Sequence, residues 1–176
     1  MQDHEIKFKI AEPRGDESST DPNPSNRVMQ NAVAKVFSVS EEFPDSLIVG
    51  ADTIVYLDGE CLGKPESPED AMNMLESLSG KTLSVFTGVA LLDTSNGVLV
   101  SDYEATQVMF HRLSHSAIVE YVESGEPLDK AGAYGIQGKG AALIAGYSGS
   151  WSNIVGLPME LLCEMLKKKG YAVKDC

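Results

Sequence analysis

Asp52 is the first residue with a claim to chemistry. It interrupts an apolar, β-branched run, SLIVGADTIVYL (46–57). A carboxylate in such a run is costly to bury unless it is paired, bound to a metal, or set at a strand end facing a cleft. Gly50 leaves room for another backbone to come close. The local sequence serves a reacting carboxylate and a satisfied structural one equally well, because perturbed carboxylates are enriched at sites without being confined to them. Lys64, between Gly63 and Pro65, sits on a short, stiff turn. It can present its ammonium to a phosphate as a point charge, or it is an ordinary turn lysine.

Three further features belong with these two. Asp16 and Glu17 lie in EPRGDESSTDPNPS (12–25), a loop by its turn chemistry. Hard cations such as Mg²⁺ take one or two carboxylates together with waters and substrate phosphates. Glu17 with Asp52 would make such a pair; the plainer reading is a solvated acidic loop. Lys35 stands among apolar neighbours on an expected helix and could reach a cleft, although a solvent-facing lysine is the commoner case. Gly132, Gly135, Gly138 and Gly140 surround Tyr134 and Gln137. Glycines let a backbone approach a ligand, and the donor and acceptor of Gln137 suit a uracil or thymine edge. No phosphate-loop or dinucleotide-binding fingerprint is present. His4, His111 and His115 show no metal-ligand pairing with the cysteines, His111 and His115 read as surface residues, and Cys61, Cys163 and Cys176 read as free thiols.

The elements that must carry these residues follow from periodicity and punctuation. Residues 5–10 alternate as a short strand. Ser25 fits a helix N-cap, with the helix running to Val39. Residues 46–57 form one buried strand, or two broken at Asp52-Thr53. A helix over 67–80 has Ser67 as cap, Pro68 at N1, Asp70 at the capping-box position and Gly80 as stop. Strands over 82–92 and 98–110 join through Ser95-Asn96-Gly97. Residues 116–122 form a helix, 129–140 a glycine-rich loop, 142–150 a strand and 158–170 a last helix with Pro158 at N1. Interspersed strands and helices give an α/β or α+β class.

Composition bounds the function. The chain has 176 residues, 43% hydrophobic and 23% charged, with 14 basic and 26 acidic side chains and a net charge of −12. A field of that sign repels a polynucleotide backbone but not one triphosphate held by a few lysines and a metal. No apolar run reaches the roughly 20 residues of a membrane span, and MQDHEIKFKI lacks the apolar core of a signal peptide. The expectation is a cytoplasmic protein, with neither a membrane nor a nucleic-acid polymer as partner.

GADTIV (50–55), LGKP (62–65), DAMNMLESLSGK (70–81), VFTGVAL (85–91), YVESGEPLDKAGAYGIQG (121–138) and GSWSNIVGLP (149–158) together resemble the Maf family of nucleotide pyrophosphatases, in the family's order and spacing. The resemblance implies an α/β fold: an elongated mixed sheet flanked by helices with a central cleft, similar to inosine triphosphate pyrophosphatases. It implies one domain over residues 1–176, as two lobes around the cleft, and hydrolysis of a nucleoside triphosphate to monophosphate and pyrophosphate with Mg²⁺ or Mn²⁺. Asp52 matches the family's catalytic acidic residue; it would act on the attacking water or ligate the metal. Glu17, Lys35 and Lys64 match other polar residues of the site. Thr53 and Gln137 match members that prefer thymidine and uridine nucleotides over those that take 7-methyl-GTP, which implies removal of non-standard nucleotides from the pool. A homodimer is the assembly the resemblance implies. The family's usual opening, a strand followed by Ser-x-Ser-Pro-Arg-Arg, has no counterpart in the sequence, which therefore reads as N-terminally shortened. The alternative expectation is a nucleotide-binding or cell-division regulatory protein without that phosphate clamp.

Overall fold

The computed structural model describes residues 8–14, 19–171 and 173. The order is α1 (Pro24–Val39), β1 (Leu47–Leu57), β2 (Glu60–Leu62), α2 (Pro68–Leu78), β3 (Thr82–Asp93), β4 (Val98–Phe110), α3 (His115–Glu123), β5 (Ile144–Ser148), α4 (Trp151–Ile154) and α5 (Met159–Lys168), with short 3₁₀ turns at Ser40–Glu42 and between α3 and β5. This is the expected α/β class, with helices flanking one five-stranded sheet of order β2-β1-β3-β4-β5. The sheet is antiparallel where the resemblance implied a mixed one. β1 and β2 pair antiparallel, as do β4 and β5; β3 and β4 form a hairpin; and Thr94 N donates to Ser46 O (3.0 Å), joining the end of β3 to the start of β1. Tight connections such as Asp58-Gly59 and Ser95-Asn96-Gly97 can only join antiparallel neighbours.

The chain divides into two compact units. The first comprises Met1–Asp52, Thr87–Glu104 and Gly156–Cys176, the second Thr53–Phe86 and Ala105–Val155.

In the first unit, α1 begins two residues earlier than Ser25 as N-cap would place it. Asn23 caps it, accepting from Ser25 N (3.0 Å) and Ser25 Oγ (2.8 Å). Pro24 takes the first helical position, where its missing N–H is no loss. Val28, Asn31, Ala32, Val36 and Val39 form the buried stripe. Two glycines let that stripe lie against the strands. A Cβ on Gly50 would stand 2.7 Å from Val36 Cγ1 and 2.9 Å from Ala32 O, and one on Gly88 would stand 2.4 Å from the carbonyl of Val28. The room expected at Gly50 is thus occupied by α1. Ala32 and Val36 pack with Ala90 and Leu92. α5 buries Leu162, Met165 and Leu166 against Val89 and Leu91. Pro158 is its N-cap rather than N1.

In the second unit, Ser67 caps α2 by accepting from Asp70 N (3.1 Å). Asp70 does not close the reciprocal half of a capping box; its carboxylate accepts from Glu66 N (2.9 Å) instead. Gly80, at φ +71, ends the turn that follows. Leu75, Leu78, Leu83, Val85, Val108 and Ile118 centre the core.

Other expectations are corrected. Residues 8–10 are not a strand: they pair with no strand among the described residues, and Ile10 is 85% exposed; residues 5–7 lie outside the described residues. Within 46–57 there is one continuous strand, Leu47–Leu57, because Asp52 is satisfied by side chains from α1 and need not break the ladder. β2, α4 and the 3₁₀ turns were not foreseen. Cys61 is a free thiol as expected, whereas Cys163 is disulfide-bonded; Cys176 and His4 lie outside the described residues. His111 and His115 are exposed. No helix among the described residues is long and apolar enough to cross a membrane.

Candidate active site

The first unit holds Asp52. Its burial, at 3% exposure, requires compensation, and α1 supplies it through two side chains one turn apart. Lys35 Nζ donates to Asp52 Oδ1 (2.6 Å) and to the carbonyl of Ala51 (3.2 Å). Asn31 Nδ2 donates to Asp52 Oδ2 (2.9 Å). Residues i and i+4 of a helix share a face, so one helix grips both oxygens of one carboxylate. The grip depends on how closely α1 lies on the sheet, and hence on Gly50 and Gly88. Charge-assisted hydrogen bonds of this length are the strong ones. In a site this dry they offset the cost of removing Asp52 from water rather than adding a large surplus.

Asn31 is itself 3% exposed, and its Oδ1 accepts from Ser19 N (3.1 Å). Ser19 Oγ donates to Gln30 Oε1 (2.6 Å), Gln30 Nε2 to Asp21 Oδ2 (3.3 Å), and Asp21 Oδ1 accepts from Asn23 N (2.9 Å). Residues 19–22 are therefore laced to α1, and with Gln30, Asn31 and Ala34 they line an open recess of about 570 Å³.

The second unit holds the other candidates. Lys64 is exposed and makes no ion pair among the described residues. Its turn is fixed by Gly132 N donating to Gly63 O (2.9 Å), where Gly132 has φ +68 and packs on Val55. Asp129 is held below the usual carboxylate range by its hydrogen bond to Lys130 and the charge of Lys130, with a smaller contribution from Lys64. Thr53 follows Asp52 on β1, so the pleat sends the two side chains to opposite faces of the sheet.

Gln137 is exposed and extended (φ −97°, ψ 159°), and its amide makes no hydrogen bond among the described residues. The loop carrying it is clasped by two side chains that sequence reading missed. Tyr121 Oη accepts from Gly135 N (3.1 Å). Glu126 accepts from Lys139 N (3.1 Å) and Gly140 N (3.4 Å). Burial pushes the Tyr121 phenol up to about 12, and the Glu126 carboxylate adds to the shift. A Cβ on Gly140 would fall 2.2 Å from Gly135 O, so this glycine is needed for a loop folded back on itself. Tyr134 meets Phe110 edge to face (4.9 Å between centroids), and its buried hydroxyl has no partner among the described residues.

The structure thus brings Asp52 and Lys35 together. It places Lys64 and Gln137 on two loops of the second unit. It gives no geometry for Glu17, which lies outside the described residues. Asn31 was missed, although a signal was present: a poor helix former in mid-helix, one turn before a lysine, on the stripe marked by Val28, Ala32 and Val36. Among the described residues no three His, Cys, Asp or Glu side chains group as a metal site. A hard cation that keeps waters and takes phosphate oxygens needs only one or two carboxylates. Asp52 offers oxygens of the right kind, each with one side-chain donor among the described residues and further lone-pair capacity.

The whole arrangement has relatives. Residues 1–169 match the family described as Maf-like protein. The chain is 42% identical over 170 residues to a dTTP/UTP pyrophosphatase of Dictyoglomus turgidum, covering 96% of this chain and 88% of that one. It is 46% identical over 169 residues to a dTTP/UTP pyrophosphatase of Symbiobacterium thermophilum, covering 96% and 86%. A dTTP/UTP pyrophosphatase of Moorella thermoacetica is 48% identical over 143 residues, covering 81% and 74%.

Proposed function

The chain belongs to the Maf-like protein family, and from that premise we propose that it hydrolyses dTTP, UTP and modified pyrimidine nucleoside triphosphates to the monophosphate and pyrophosphate. The observation that carries the proposal is the buried Asp52 carboxylate, held on both oxygens by Lys35 and Asn31, in a chain whose relatives of 42–48% identity bear that activity in their names. The role is removal of non-standard nucleotides in the cytoplasm. A homodimer is the assembly to test.

Asp52, fixed in one rotation, orients the attacking water and takes its proton, or serves as a ligand of the metal. The water oxygen bonds to phosphorus, the bond between the α and β phosphates breaks, and pyrophosphate leaves. Charge develops on the phosphate oxygens in this step, and a preorganised cation stabilises it. Lys35 and Lys64 are assigned that task. When bound, Mg²⁺ or Mn²⁺ supplies further positive charge to the phosphates, and Asp52 and Glu17 are the carboxylates that would hold it. Gln137, whose amide makes no hydrogen bond among the described residues, pairs with the polar edge of uracil or thymine, and Thr53 contributes to the same preference. No observation favours a purely regulatory protein.

The test is pyrophosphate release from dTTP, UTP, 7-methyl-GTP and ITP with Mg²⁺ or Mn²⁺. Turnover of dTTP and UTP well above the other two is expected. A preference for 7-methyl-GTP would overturn the assignment of Thr53 and Gln137, and no turnover of any nucleotide by folded protein would overturn the reaction.

A further inference from the structure

Lys35 alone does not fix the orientation of Asp52. An ammonium is a point charge with three rotatable donors on a flexible stem, and it tolerates many rotations of the carboxylate it pairs with. A planar amide pinned at both ends does not. Asn31 is such an amide. Its Oδ1 receives the Ser19 N–H (3.1 Å) and its Nδ2 donates to Asp52 Oδ2 (2.9 Å).

The Ser19 N–H is a donor and can only face the carbonyl end of the amide. That bond decides which way the amide is turned, and so guarantees that the NH₂ end meets Asp52. The position itself argues for a polar purpose. Asn31 is buried beside the apolar stripe of Val28, Ala32 and Val36, where an apolar residue would favour the helix more and leave no amide to desolvate.

We propose that Asn31 is a positioning residue, which sets the rotation of the Asp52 carboxylate and ties it to residues 19–22. The proposal rests on the reading of Asp52 as the reacting or metal-holding carboxylate. It adds a dependence that reading lacks: the geometry of residues 19–22, which line the recess beside α1, is transmitted to the carboxylate through one amide.

Three variants test it, assayed by pyrophosphate release from dTTP beside Asp52→Asn. Asn31→Asp keeps the shape and the acceptor for Ser19 but loses the donor to Asp52. Asn31→Leu loses both bonds and adds no charge. Asn31→Gln keeps both functions on a longer stem. For Asp and Leu, kcat falls by on the order of a hundredfold while KM stays within about threefold, the pattern of an interaction realised in the transition state. Gln recovers at least about tenfold over Leu. Wild-type kcat in the folded Asp and Leu variants would overturn the proposal. So would a loss that Gln does not relieve, since packing alone would then explain it. Full activity in Asp52→Asn would sink the underlying reading of Asp52 instead, a result distinct from either.

Discussion

The two units solve opposite problems with opposite means. In the first, a buried charge must be compensated, and a helix is pressed onto the sheet until its side chains grip both oxygens of Asp52. In the second, a polar group must stay available, and Gln137 is left exposed on a loop whose backbone is clasped by Tyr121 and Glu126. The group proposed to react is held through its side chain, and the group proposed to recognise the base through the backbone around it. Rigid support suits a carboxylate whose rotation decides its use, since misplacement by about 1 Å can cost a hundredfold in rate. An uncommitted amide on a fixed loop suits a group that must exchange water for a base.

The sharpest way to break this comparison is Lys35→Ala. It leaves Asp52 buried without its cation. The expected losses are at least about a hundredfold in kcat and about 3–5 kcal/mol in stability, toward the lower end because the Lys35 side chain is 22% exposed. Pyrophosphate release and urea denaturation measure the two. Gly88→Ala comes next. The added methyl meets backbone of α1 rather than a flexible side chain, so about 1–3 kcal/mol should be lost. A fall in Tm of about 2–4 °C per kcal/mol would register it. If Gly88→Ala were neutral, the close seating of α1 would not be what delivers Asn31 and Lys35.

Gln137→Ala should do the reverse of Lys35→Ala. KM for dTTP and UTP rises by about tenfold, as for one lost hydrogen-bonding contact, with kcat nearly kept and Tm unchanged because the side chain is exposed. A collapse of kcat at constant KM would place Gln137 with the reacting groups and erase the contrast. The smallest effect lies at alkaline pH. The Tyr121 phenol is raised to about 12 in the fold, from about 10 in an unfolded chain. The proton is therefore lost first by the unfolded state. The stabilisation is whole below about pH 10 and fades as pH rises toward 12. Denaturation midpoints should decline across that window, and the decline should shrink in Tyr121→Phe.

Much of the frame was legible. The helix over 67–80 was marked by Ser67, Pro68 and Gly80, and the hairpin by Asn96-Gly97, because caps and turns are local chemistry. Asp52 stood out as a charge in an apolar run. What could not be read was tertiary. Nothing local says that Asn31 meets Asp52, 21 residues away, or that Gly88 accommodates Val28 across the fold. Of the strand expected at 5–10, the described part, residues 8–10, failed for the same reason. Alternation of Phe8 and Ile10 is a local signal, but a strand exists only where a neighbour accepts its hydrogen bonds. Glu126 looked like one acidic residue among 26, and only the folded loop reveals that it caps two backbone N–H groups.

The most direct test is pyrophosphate release from dTTP and UTP by the wild-type chain and by Asp52→Asn, each shown to be folded by its thermal transition. The account predicts turnover by the wild type and a loss of at least about a hundredfold in Asp52→Asn. An Asp52→Asn protein that turns over dTTP at the wild-type rate would contradict it, and would leave the buried Asp52–Lys35 pair as a structural ion pair only.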